Sequence, residues 1–419
     1  MLTRHTKRYY RQIINLMLLI LSPKTSPRLD YVCHVIFKLI LGLDYAFTQD
    51  ENQYGQHKDF KLRYQPKSNL LFETDIRKQD ENLILQDKPA FAFYLLSNYE
   101  EYLPNCPRDQ HGRMVHEQSF VVRHGLFHQA TVQRIALHYK TLLSKQQPAY
   151  QWKEPTYRFL PTFDIDIAYA FKGKRFGHFC GALGKALLTL QWTRTAQIIK
   201  AQCQADYQDP YDVYDIERQL CEKHGTKALC FMLTSLRTRF DRNISPQSKH
   251  FSRLLQQLQQ FATIGLHSSY YSDVQHSIQK EKQTLEQKSG ITISCSRQHF
   301  LKVKFPDTFR QLIAAGISDD YSLGFHDRIG FRNGMAQPFP FFDVAANEAT
   351  SLTLHPLLMM DSAAVQSLGY GESYWAGVEE LIQEVKTLGG DMTALWHSNF
   401  MPHGSPQLTL FQETFERMC

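Results

Sequence analysis

A chain of 419 residues exceeds one ordinary hydrophobic core, so two domains are the natural expectation. Hydrophobic residues at 43% and charged residues at 21% exclude a disordered or fibrous chain and fit a globular enzyme. The net charge of +6 comes without a Lys/Arg run that reads as a nucleic-acid arm, and eight cysteines without CxxC or paired spacing argue for free thiols, not a disulfide framework.

At the N-terminus, Lys7, Arg8 and Arg11 precede residues 13–21, IINLMLLIL, the charge order of a signal peptide. No small-x-small cleavage site follows, and nine residues are too few to span a bilayer. The stretch is expected to be a buried first strand of a cytoplasmic protein, with export or inner-membrane association as the alternative. Residues 1–150 then form a mixed α/β unit. Helical spacing predicts helices over 28–42, 89–99 and 131–145; polar, hairpin-like sequence runs to Leu85, and 105–118 is rich in turns. Glu100, Glu101 and the segment DQHGRMVHEQS (109–119) lack catalytic spacing and are expected to make structural or interface contacts. Residues 146–153 are the linker.

From Tyr157 onward apolar strands alternate with helices. Strands are expected at 157–163, 227–233, 263–266, 291–296, 317–323, 351–354 and 392–396, with helices at 211–224, 246–261, 272–289, 306–315 and 372–388. Asp209-Pro210 and Ser245-Pro246 read as helix starts, and Gly225, Gly290, Gly316 and Gly389 as stops. Alternation of this kind implies a parallel sheet, and seven strands are enough to close a small (β/α) barrel over 151–419. Residues 175–202 are a helical insertion and 324–347 a long loop.

The chemistry lies at the strand ends. The first strand stops at Asp164 and Asp166, two residues apart and so on one face. Like charges that close need a cation or a shared proton. Later strands stop at His267, at Arg297 and His299, at His355 and at His397. Active sites of parallel α/β folds form at the C-terminal ends of strands. A carboxylate and two imidazoles with positions left open are the ligand set of a catalytic divalent metal, and a spare acid and histidine beside them supply what hydrolysis of an amide or ester needs.

FDID, GLHSS, SRQH and TLHP match, in order and spacing, the motifs of the polysaccharide deacetylase (NodB-homology, carbohydrate esterase family 4-like) superfamily, which residues 157–400 resemble. The N-terminal part, with FYLLSNYEEYL, resembles an uncharacterised domain that precedes the deacetylase region in a bacterial subgroup. The resemblance implies a distorted, TIM-like seven-stranded barrel that uses a divalent metal to remove N- or O-acetyl groups from sugars. It assigns Asp164 as general base, Asp166 and His267 as metal ligands, Arg297 as the residue orienting the base, and His355 as general acid, with His397 able to replace or assist it. The family's second ligand histidine is Tyr271 here, a poor ligand for zinc, so His299 is expected to substitute; cobalt or nickel are alternatives to zinc. Arg332 and Asn333 are candidate substrate contacts, unless the charges of their loop pair with each other. Tyr270, Tyr271 and Trp396 are candidate apolar walls, or core aromatics. Two other functions stay open: a metal-free hydrolase of other non-peptide C–N bonds, and a carbohydrate-binding protein without activity.

Overall fold

The computed structural model describes residues 16–173, 176–204, 207–235, 237–273 and 277–419. The chain is mixed α/β, with two sheets. The first has order β2-β1-β3 and is built from β1 (Met17–Leu21), β2 (Asp44–Thr48) and β3 (Phe60–Arg63). Of the first strand expected at 13–21, residues 13–15 lie outside the described residues. The remainder, MLLIL, is apolar throughout, and this places it in the centre of its sheet. The hairpin-like reading of the following sequence is corrected: β2 and β3 both run parallel to β1. Parallel partners need a crossover, which the helical stretch Pro27–Cys33 continuing through His34–Ile40 provides. That stretch starts where expected because Ser26 accepts from Leu29 N and Pro27 takes the first turn.

The second sheet has nine strands in the order β11-β12-β4-β5-β6-β7-β8-β10-β9. They are β4 (Tyr157–Ile165), β5 (Ala228–Leu233), β6 (Ala262–Ser268), β7 (Cys295–Gln298), β8 (Asp319–Asp320), β9 (Phe339–Asp343), β10 (Glu348–Leu354), β11 (Met359–Met360) and β12 (Gly390–His397). All seven predicted strands are present. β9, inside the stretch read as a long loop, pairs antiparallel with β10, and β11 pairs parallel with β12. Helices cover the sheet with apolar stripes. Lys249–Leu258, for example, buries Phe251, Leu254, Leu255 and Leu258, one face at i, i+3, i+4 and i+7.

The sheet is strongly curled. Arg297 on β7 and Thr162 on β4 are three strands apart, about 14 Å along a flat sheet. Yet Arg297 donates from Nη1 to Thr162 Oγ1 at 2.8 Å. Among the described residues no ladder joins β10 to β12, so the pairing of a closed seven-stranded barrel is not formed. Loop segments span the gap instead: Leu357 N donates to Leu323 O, Leu358 N to Thr393 O, and Asp391 N to Ala336 O, at 2.8–3.1 Å.

The apolar core runs without a break from the first sheet into the second. Tyr31 and Phe93 pack on Phe342 with ring centroids 4.9 and 5.1 Å apart. Arg134 Nε donates to Glu384 Oε1 at 2.7 Å, and Ala336 N to Gln133 Oε1 at 2.7 Å, across the same boundary.

Candidate active site

Alternation along β4 turns Thr162 and Asp164 to the concave face, and Asp166 follows as the strand ends. β5 and β6 bring His267 alongside, and β7 and the turn after it present Arg297 and His299, again two residues apart. The ligating atoms of Asp166, His267 and His299 lie within 4.8 Å of one another. His267 Nε2 is 2.9 Å from Asp166 Oδ1, and His299 Nε2 is 3.4 Å from Asp166 Oδ2.

Each imidazole is fixed from behind. The carbonyl of Arg297 lies 2.9 Å from His267 Nδ1 and only accepts, so Nδ1 carries the proton and Nε2 offers its lone pair. Asp241 Oδ1 stands 2.9 Å from His299 Nδ1 and does the same there. Asp241 is itself held, taking Tyr270 N on Oδ1 and Thr238 Oγ1 on Oδ2. Histidines that bind metals are oriented in this way by a carbonyl or carboxylate. Asp166 Oδ1 and His267 Nε2 are both buried and face each other at 2.9 Å, with no further hydrogen-bond partner for either. A buried carboxylate and two lone pairs facing one point fit a divalent cation. Burial opposes charge on Asp166, but His299 and His267 outweigh it and hold the carboxyl well below the usual range. Burial likewise lowers His299, yet Asp166 and Asp241 push it up to about 9.

Asp164 sits beside the cluster. Its Oδ1 accepts from Arg297 Nη1 at 2.9 Å, and its Oδ2 is 3.6 Å from His267 Nε2. Arg297 is completely buried, donates also to Tyr321 O, and lies over the Phe231 ring at 4.4 Å, so its orientation is fixed. On the other side of Asp164 is His397, its ladder partner in the β12–β4 pairing. His397 Nε2 is 3.7 Å from Asp166 Oδ2, and its Nδ1 is 2.9 Å from Asp361 Oδ1. Burial lowers His397, but Asp361 first, then Asp166 and Asp164, push it up to about 10.

Several expected residues stand elsewhere. His355 stacks on Tyr321 and directs Nε2 to Asp319 Oδ1 at 2.8 Å, so its proton is committed there. Its strand, β10, has no pairing with β4. Trp396 points to the opposite face, packed among Phe159, Phe163, Phe411 and Phe415. Arg332 is half-buried, pairing with Glu101 and donating to Gly324 O, and Asn333 is fully buried. These are core and junction residues. Tyr270 is mostly buried, its hydroxyl 3.0 Å from His111 Nδ1, whereas Tyr271 is exposed at the rim. The sequence reading missed Asp241 and Asp361, single acids in loops whose partners are fixed only by the fold.

The segment 109–119 reaches this rim. Arg113, held by Asp109, donates from Nη1 to Phe300 O at 2.9 Å. Phe300 and Leu301, directly after His299, have φ of +62° and +51°. Left-handed backbone costs a non-glycine residue roughly 1–2 kcal/mol and persists only where its surroundings impose it. Nearby, His116, His326 and Asp327 also cluster within 4.8 Å. Both Asp327 oxygens are engaged, by His116 and by Arg328, while His116 Nε2 and His326 Nδ1 are buried without a hydrogen-bond partner.

A family model described as a family of unknown function (DUF7033) matches residues 18–148. No curated protein matches the chain. Among solved structures, a putative polysaccharide deacetylase from Mycobacterium smegmatis shares 12% identity, with a TM-score of 0.38 over 64% of this chain and 86% of its own. A polysaccharide deacetylase from Bacillus cereus shares 10%, with a TM-score of 0.28 over 63% and 86%. A mutant of a CE4 family pseudoenzyme with restored activity shares 11%, with a TM-score of 0.27 over 67% and 76%. At such identities and scores the function has to be read from the chain's own residues.

Proposed function

We propose that the chain is a metal-dependent hydrolase of non-peptide carbon–nitrogen bonds that removes acetyl groups from an N-acetylated sugar, with O-acetyl esters as the related alternative. In this reading 151–419 is the catalytic unit and 1–150 a unit packed against it. The observation that carries it is the convergence of Asp166, His267 and His299 on one point, with Asp164–Arg297 on one side and His397–Asp361 on the other.

Asp166 Oδ and the Nε2 atoms of His267 and His299 would hold the metal, zinc by its ligand chemistry, with cobalt or nickel possible. When bound, such an ion polarises the acetyl carbonyl and lowers the pKa of water. Asp164 removes the proton from the attacking water. Arg297 keeps that carboxylate aimed through a charge-assisted hydrogen bond. His397, rather than His355, donates from Nε2 to the departing nitrogen, because Asp361 holds its Nδ1 and stabilises the imidazolium. Tyr271, exposed at the rim, offers a face to the sugar.

Metal analysis of protein purified without added ions, paired with acetate release from N-acetylglucosamine oligomers, tests the proposal. One ion per chain and metal-dependent acetate release are expected. Asp164→Asn keeps the ion and loses turnover, while His267→Ala loses both. A wild-type rate in Asp164→Asn removes the base assignment, and unchanged metal content in His267→Ala removes the ligand assignment.

A further inference from the structure

Directly after β4, and so from the rim that carries Asp164 and Asp166, the chain inserts two helices, Phe176–Leu188 and Trp192–Cys203. Their charge is one-sided. Residues 167–205 contain six Lys/Arg (172, 174, 175, 185, 194 and 200) and no Asp or Glu, a surplus equal to the net charge of the whole chain. The +6 is therefore concentrated in this insertion more than its scattered lysines and arginines suggest.

The apolar residues are equally uneven. Ala186, Thr195 and Ile198 are buried, leaving Leu187, Leu188, Leu190, Trp192 and Ile199 outside. These five are among only thirteen large apolar side chains exposed in the described residues, and Leu188, Leu190 and Trp192 at the helix–helix turn are exposed by 87%, 68% and 64%. Leu190 occupies a left-handed position, φ +55°, where glycine or asparagine would be the unstrained choice. Folding alone gives no reason for a leucine there, bare and on a disfavoured backbone.

A leucine–tryptophan tip flanked by lysines is the composition of an element that lies in a lipid interface. Apolar side chains enter the headgroup boundary while basic ones meet anionic lipid. No helix among the described residues is long and apolar enough to cross a membrane, which leaves a surface contact. We propose that the turn Leu188–Trp192 with exposed Lys185 and Lys200 docks the protein on an anionic lipid surface. A nucleic acid or acidic glycan would satisfy the lysines but give the apolar tip nothing to bury against. Because the insertion leaves the sheet at the active-site rim, docking holds that rim at the membrane. If the deacetylase reading holds, the substrate is a glycan presented there.

The test uses the full-length protein with vesicles of phosphatidylcholine alone or mixed equally with phosphatidylglycerol. Co-sedimentation with the mixed vesicles only is expected, weakening with salt, with Trp192 emission shifting to the blue by comparison with Trp192→Phe. The double variant Leu188→Glu/Leu190→Glu should lose binding, and Lys185→Gln/Lys200→Gln should weaken it roughly 25-fold, at about five-fold per basic residue. Both changes are at exposed positions, and an unchanged melting temperature shows that the variants fold. Vesicle binding needs no turnover, so it stands or falls separately from the deacetylase reading. Absence of binding at low salt, equal binding by the glutamate variant, or a soluble dimer that the glutamate variant disrupts would each overturn the proposal.

Discussion

Three imidazoles surround Asp166, and the partner on the far nitrogen of each separates their duties. His267 followed from its place at a strand end, and His299 from sharing a face with Arg297 two residues before it. The choice between His355 and His397 did not follow. Both come after an apolar strand, and only the sheet order, which sets β12 beside β4, brings His397 to Asp164. His397→Ala should therefore lower kcat by roughly 10²–10⁴-fold, the usual value of a positioned acid, and His355→Ala should leave it nearly unchanged. Equal losses in the two variants would reject the assignment. A second residue-scale outcome concerns stability. Burial lowers His116 from 6.5 to about 3. The unfolded chain thus takes a proton below pH 6.5 that the folded protein refuses, and stability falls as pH drops, by up to about 1.4 kcal/mol per unit for that group. Urea titrations at pH 7.5 and 5 should show a smaller loss in His116→Asn than in wild type. An equal loss would place the acid sensitivity elsewhere.

At the scale of elements, the curl of the sheet makes the site, and it depends on close approach in the interior. A Cβ on Gly265 of β6 would sit 2.6 Å from the Phe231 ring and 2.9 Å from Cys295 Sγ. Gly265→Ala must displace Phe231, the ring on which Arg297 lies, and should cost about 1–3 kcal/mol along with much of the activity. Thermal unfolding and acetate release check both; a variant of wild-type stability and rate would contradict this packing. The turn after β7 depends in the same way on Arg113. Arg113→Ala should retain the fold but weaken cobalt binding by roughly 10–100-fold, the usual effect of losing a supporting contact, with partial recovery in Arg113→Lys. Affinity unchanged from wild type would show that the turn holds itself. Most strands and helices could be read from periodicity. β9 and β11 could not: β11 has only two residues, and β9 carries a proline and lies in a run of aromatics that also suits a loop.

At the scale of the whole molecule, the sequence suggests a boundary near residue 150 and the DUF7033 match ends at 148, but the core runs across this point. Tyr31 and Phe93 on Phe342, and Arg134 on Glu384, bind the units together. Sequence pattern reports the face that each element buries, not the element buried against it, so this union was not legible. Residues 151–419 expressed alone should be insoluble or poorly folded, and the full chain should melt in one transition by calorimetry. Two well-separated transitions would mean that the units fold independently.

The central claim is that Asp166, His267 and His299 grip a single ion. Titration of metal-stripped protein with zinc, followed by calorimetry, tests it most directly. One site per chain should appear in the wild type and in His355→Ala, with affinity lost or sharply reduced in His299→Ala. Zinc bound as tightly by His299→Ala as by the wild type, or not bound by the wild type at all, would contradict the account.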